Sequence, residues 1–337
     1  MTIRKTLYFT APKRVEIHEE YLPDPGADEI LVETACSAIS AGTEMLIYNG
    51  RFPRDLETDP VISSLRGSFE YPLAYGYACV GRVSAIGRAV DSEWKDRLVF
   101  SFQPHTTHFM AKPAALFPVP EMLSPESACF FANTETAVNL IQDAAPILGE
   151  RVAVFGQGVI GLLTVALLRE FPLAALITAD RHELRRRMSE TLGVDEALDP
   201  AAPNFLEMAL SRGKFDLAFE LSGRPETLND ALSMTAFSGR VVVGSWYGEK
   251  RAAIDLGRDF HRSRIKLISS QVSTIAPELS GRWDKPRRFE AAWQALQRIQ
   301  PGKWITHRFP LEQAADAYRL LDENPQDAIQ VVFHHKS

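Results

Sequence analysis

The residues best suited to chemistry lie in the middle of the chain. Val152-Ala153-Val154-Phe155 is an apolar run that ends in Gly156-Gln157-Gly158-Val159-Ile160-Gly161, a G-x-G-x-x-G spacing that opens a second apolar stretch. Each glycine has its own expected task. The first permits a tight turn, the second lets backbone approach a pyrophosphate, and the third lets a helix pack closely on the preceding strand. The unpaired N–H groups and positive dipole end of a helix starting at Val159 and Ile160 suit two linked phosphates. About twenty residues on, Ile177-Thr178-Ala179-Asp180 brings a carboxylate to where the ribose hydroxyls of a dinucleotide would lie. An acid there repels a 2′-phosphate, so NAD is expected over NADP; Arg181, next along, is the one residue that could grip such a phosphate instead. Ser222-Gly223 and Gly244-Ser245 end two later apolar runs and join the cofactor-binding set, because open α/β sheets take ligands beyond the carboxyl ends of their strands.

The elements that must hold these residues follow from periodicity. Before about Pro120 the chain reads as short β runs (5–9, 15–18, 29–35, 81–86 and 97–102) broken by turn residues such as Pro23, Pro25, Gly26, Pro53 and Pro72. Ser124-Pro125-Glu126 is an N-cap with proline at the first helical position, predicting a helix to about Gln142. Strand-like and helical runs then alternate from Arg151 to Ser269, which demands a doubly wound parallel sheet. The expected organisation is therefore a β-rich domain over 1–120, completed by 273–337, and a dinucleotide-binding α/β domain over 121–272.

Bulk properties narrow the function classes. With 337 residues, 45% apolar and 24% charged, the chain can fill two cores. A net charge of −6 argues against a nucleic-acid footprint. The longest apolar stretch, Val159 to Leu168, is too short to span a bilayer. The opening residues lack a secretory pattern, and Cys36, Cys79 and Cys129 show no C-x-x-C spacing, so a cytoplasmic, disulfide-free protein acting on a small molecule is expected.

Taken in order, these motifs make the chain resemble the medium-chain dehydrogenase/reductase superfamily over nearly its full length. Gly76-Tyr77-Ala78-Cys79-Val80-Gly81-Arg82-Val83 stands where that family has G-H-E-x-x-G-x-V, and Ile39-Ser40-Ala41-Gly42-Thr43-Glu44 where it has I-C-G-T-D. The segment from Thr306 to Tyr318 also looks like the family's C-terminal part. The resemblance implies a Rossmann domain paired with a β-rich, GroES-like catalytic domain, hydride transfer involving a nicotinamide cofactor, and a homodimer. The Ser-Ala-Gly-Thr-Glu variant is similar to the bacteriochlorophyllide-type branch, whose members oxidise a secondary alcohol to a ketone.

The departures bear on mechanism. Zinc-dependent relatives hold their metal with thiolate, imidazole and a third ligand. Here Ser40 is read at the cysteine position, Tyr77 at the histidine and Ala78 at the glutamate, and hydroxyls bind zinc poorly. No zinc is therefore expected. Catalysis then needs side chains to donate a proton and steady an alkoxide. Tyr77 is the first candidate, with Thr43 as a possible hydrogen-bond partner of cofactor or substrate. His105 and His108 lie three residues apart, so on a strand they face opposite sides and at most one serves. Either could pair with Glu44, and Glu135, near the third ligand's position in relatives, could relay a proton if it were not structurally paired. Between Ser269 and Arg288 a polar loop carrying Arg282 and Trp283 is a candidate lid. Two other readings stay open, an enoyl or quinone reductase on the same fold and a nucleotide-binding protein without turnover.

Overall fold

The computed structural model describes residues 2–53, 55 and 67–335. Contacts within the chain divide it into two units, Met1–Ala132 with Leu296–Ser337, and Asn133–Ala295. Both boundaries fall later than the sequence suggested. Leu140 and Ala144, on the helix Phe131–Ala144, share a core with Val152, Val154 and Leu217, which draws that helix to the second unit. The buried Arg288, on the helix Lys285–Ile299, donates to Glu135 and Asn139 and draws most of its own helix there too.

The second unit is built on six parallel strands. Their spatial order is Glu196–Leu198, Ala175–Ala179, Arg151–Phe155, Phe215–Glu220, Thr235–Val243 and Lys266–Ser269. Side chains alternate between two cores, as period-two geometry requires. Ala153, Phe155, Ile177 and Ala179 join the helix Thr227–Met234 on one face. On the other, Val152, Val154 and Leu176 meet the helix Val159–Leu168. The order reverses between Arg151–Phe155 and Phe215–Glu220, so the crevice of a doubly wound sheet opens between Gly156 and Leu221.

The first unit is β-rich. One sheet runs Ile305–Pro310, Gln330–His334, Ile30–Ala38, Cys79–Ile86, Leu98–Ser101 and Phe117–Pro118, with His108–Ala111 also paired to Ile30–Ala38. A smaller sheet joins Arg14–Leu22, Thr2–Ala11 and Leu73–Ala74. The expected helix from Ser124 is interrupted. Ser124 does cap Pro125–Ala128, accepting from Ser127 N–H at 3.2 Å, but Phe130 N–H bonds three residues back to Ser127 and the helix restarts at Phe131. Among the described residues no helix is long and apolar enough to cross a membrane.

Candidate functional site

In the second unit the three glycines of the turn divide their labour as their spacing implies. Gly156 has φ +93°, and a Cβ there would lie 2.6 Å from the Leu221 carbonyl and the Ser222 Cα. A Cβ on Gly161 would come within 2.0 Å of the Gly156 carbonyl oxygen. Gly158, which caps the helix Val159–Leu168, meets nothing within 4 Å. The outer two glycines are thus demanded by the protein itself, whereas the middle one keeps open space over a helix N-terminus where a diphosphate can approach. Val159 and Ile160 begin that helix and are half-buried.

Asp180 is buried at the end of its strand. One carboxylate oxygen accepts the Gln157 N–H at 2.6 Å and the other the His182 N–H at 2.8 Å. Each oxygen retains a lone pair for a ribose hydroxyl. Arg181 is exposed beside it, while Arg186 donates to the Asp180 and Arg181 carbonyls at 2.9 Å. Gln157 differs from the expectation placed on it: its side chain is fully buried, donating to the Val154 and Gly156 carbonyls and accepting from Ser189 Oγ at 2.8 Å. It bolts the turn from inside, and only its backbone lies along the turn.

Ser222, Gly223, Gly244 and Ser245 do gather at the carboxyl ends of neighbouring strands. Gly223 N–H donates to Ser245 Oγ at 2.9 Å, and Gly244 N–H to the Glu220 carbonyl at 3.1 Å. Beneath them lies Glu220, a fully buried carboxylate that sequence reasoning did not single out. Its signal was a lone charge closing the apolar run Leu217-Ala218-Phe219.

The first unit brings together most of the other candidates. Tyr77 donates its phenol to Ser40 Oγ and also bonds Thr43. Ser40 N–H in turn donates to Glu44 Oε1 at 2.8 Å. Glu44 is fully buried, and its other oxygen accepts from Tyr318 at 2.5 Å and lies 2.9 Å from His105 Nε2. His105 Nδ1 is 2.7 Å from Ser37 Oγ, which is 2.9 Å from His335 Nε2. One set of donors satisfies the whole chain: His335 Nε2–H to Ser37, Ser37 O–H to His105 Nδ1, and His105 Nε2–H to Glu44. Among the described residues the buried His335 Nδ1 has no partner, as fits an unprotonated nitrogen. Burial, together with His105 nearby, pushes the His335 pKa down to about 3.

The structure revises several of these expectations. His105 is inside the network with no exposed surface, so it supports Glu44 and is not placed to meet a substrate. His108 lies apart, half-buried, with Nδ1 3.1 Å from Thr107 Oγ1. Glu135 also stands outside any catalytic group: within the second unit it is buried and held by Lys285 and by Arg288, whose Nε lies at 3.0 Å. In the loop proposed as a lid, Trp283 is covered by the Arg287 guanidinium at 4.2 Å.

A sequence profile described as zinc-binding dehydrogenase matches residues 159–296. The starvation-sensing protein RspB of Escherichia coli K12 is 21% identical over 97% of this chain and 98% of its own length. The L-threonine 3-dehydrogenase of Stenotrophomonas maltophilia is 22% identical over 93% and 94%. The solved structure of the alcohol dehydrogenase rspB from E. coli CFT073, complexed with NADH, superposes with a TM-score of 0.78 over 99% of this chain and 100% of that one, at 20% identity. Over nearly its full length the chain is thus similar to zinc-type alcohol dehydrogenase-like proteins of the medium-chain dehydrogenase/reductase type, many of which are named dehydrogenases.

Proposed function

We propose that this chain is a zinc-independent, NAD-dependent oxidoreductase that moves a hydride between the nicotinamide cofactor and a secondary alcohol or ketone. The observation that carries this reading is the contrast within one turn: two glycines locked by backbone contact flank a third that is open, with the Asp180 carboxylate beside them. The NADH held by the E. coli CFT073 structure supports it. Bound there, the nucleotide would supply or accept the hydride. The N–H groups at the start of Val159–Leu168 would hold its diphosphate, and Asp180 its adenosine ribose. The acid disfavours a 2′-phosphate, which is why NAD is preferred over NADP.

The family implies zinc, and the residues present do not fit it. Ser40 Oγ and Tyr77 are bonded to each other. Burial raises the Tyr77 pKa, holding the phenol neutral and a poor ligand. The carboxylates of Glu44 and Glu135 already serve three and two neighbours. Among the described residues no three His, Cys, Asp or Glu side chains converge as a metal cage. A neutral phenol still carries a proton to give to a far more basic developing alkoxide, and Ser40 and Thr43 would orient its hydroxyl.

Deuterium transfer tests the reading. Incubation of the chelator-treated protein with NADH deuterated at the reactive carbon and a panel of ketones should place deuterium on the carbinol carbon. With an α,β-unsaturated ketone in the panel, label on the saturated β-carbon left by reduction of the double bond, or turnover that is restored only by stoichiometric zinc, would overturn it. Tyr77→Phe should lower kcat about 10²-fold or more, the scale of general acid catalysis, while NADH affinity stays within twofold. Equal kcat in the two proteins would remove Tyr77 from the proton path.

A further inference from the structure

Glu220 ends the strand Phe215–Glu220 at the point where the sheet order reverses, and its side chain has no exposed surface. Burying a carboxylate is costly unless donors meet it, and here three neutral donors do. Oε1 accepts the Ser222 N–H at 2.9 Å and the Ser222 hydroxyl, while Oε2 accepts the Tyr247 phenol at 2.5 Å. The carboxylate thus curls its own chain into the Leu221–Gly223 turn and pins that turn to the loop after the next strand. The turn in question is the one that Gly156 touches, at 2.6 Å from a would-be Cβ. Lys250 adds a second tie from the same loop, donating to the Gly223 carbonyl at 2.8 Å.

Topology says which half of a dinucleotide this serves. Asp180 ends the strand on one side of Arg151–Phe155, and Glu220 ends the strand on the other. A dinucleotide whose adenosine ribose is at Asp180 must send its other nucleoside toward the Ser222–Gly223 turn. We infer that Glu220, acting through Ser222 and Tyr247, is a positioning residue for the nicotinamide half of the cofactor, an inference that rests on the reading of the chain as a nicotinamide-dependent enzyme.

The experiment compares two ligands in three proteins. NADH binding is followed by fluorescence and ADP-ribose binding by calorimetry, in wild type, Glu220→Gln and Tyr247→Phe. Glu220→Gln replaces an acceptor by a donor facing a donor, so NADH should bind about tenfold more weakly, the scale of one unsatisfied buried hydrogen bond. ADP-ribose, which lacks the nicotinamide, should bind within twofold of wild type. Tyr247→Phe removes one donor while keeping the ring, so if Glu220→Gln fails to fold the same split, about threefold in size, must appear there. Equal losses for both ligands, or no loss for either, would overturn the inference. A wild-type protein that binds neither ligand would sink the parent reading as well, and so separates the two failures.

Discussion

Gly158→Ala should cost the protein no more than about 1 kcal/mol of stability but one to two orders of magnitude in NADH affinity, whereas Gly161→Ala should fail by unfolding. The two substitutions add the same methyl group three residues apart in one turn. At Gly158 the new Cβ meets nothing within 4 Å, and the backbone there, φ −68° and ψ −174°, is one any residue adopts. The cost to stability is confined to a poorer helix cap, about 0.5–1 kcal/mol. The same methyl occupies the approach of a diphosphate to the helix N-terminus, so lost contacts with two phosphates appear in Kd. At Gly161 the Cβ would sit 2.0 Å from the Gly156 carbonyl oxygen, and backbone must move apart. Roughly 3 kcal/mol or more is expected, because that strain is not relieved by turning a side chain. Thermal melts with calorimetric NADH titration check both. Comparable stability loss in the two variants, or undiminished binding by Gly158→Ala, would mean that the open space is not where the cofactor goes.

That turn was legible in the sequence because its requirements are local. A positive φ, a close approach and a helix start are properties of consecutive residues, so spacing alone carried them. The alternation of strand and helix was legible for the same reason, and the Arg151–Phe155 strand appears at its expected bounds. The side-chain chemistry was less so. The sequence offered Glu44, sixty-one residues earlier, as a partner for His105, but nothing in its neighbourhood reveals that Ser37 meets the other ring nitrogen and that the imidazole is enclosed. Glu135 is answered by Arg288, 153 positions away. Gln157 reads as part of a ligand-facing turn, yet its amide finds Ser189 on a later helix. Each of these is a pairing across distant segments, which no periodicity encodes. Glu220 was the intermediate case: a carboxylate at the end of an apolar run is visible, but the Tyr247 that meets it belongs to another loop.

The Glu44 network makes the second large effect. Glu44→Ala should destabilise the protein by about 3–5 kcal/mol, since truncating it strands the buried His105 ring N–H and Tyr318 phenol and frees the part-buried Ser40 N–H. Urea denaturation measures this, and a loss under about 1 kcal/mol would show that the network carries no weight. Acid should attack the same network from its far end. His335 takes up a proton at its ordinary value of 6.5 in the unfolded chain but only near 3 in the fold, mainly because burial opposes the charge. The unfolded state therefore binds the extra proton. Stability is fully present above pH 6.5 and declines as pH falls toward 3, by roughly 1.4 kcal/mol per unit from this group. His335→Gln keeps a donor for Ser37 and cannot titrate, so its stability should fall by about one proton's slope less between pH 6 and 4. Identical acid slopes in the two proteins would place the sensitivity on another group and show that burial does not hold His335 neutral.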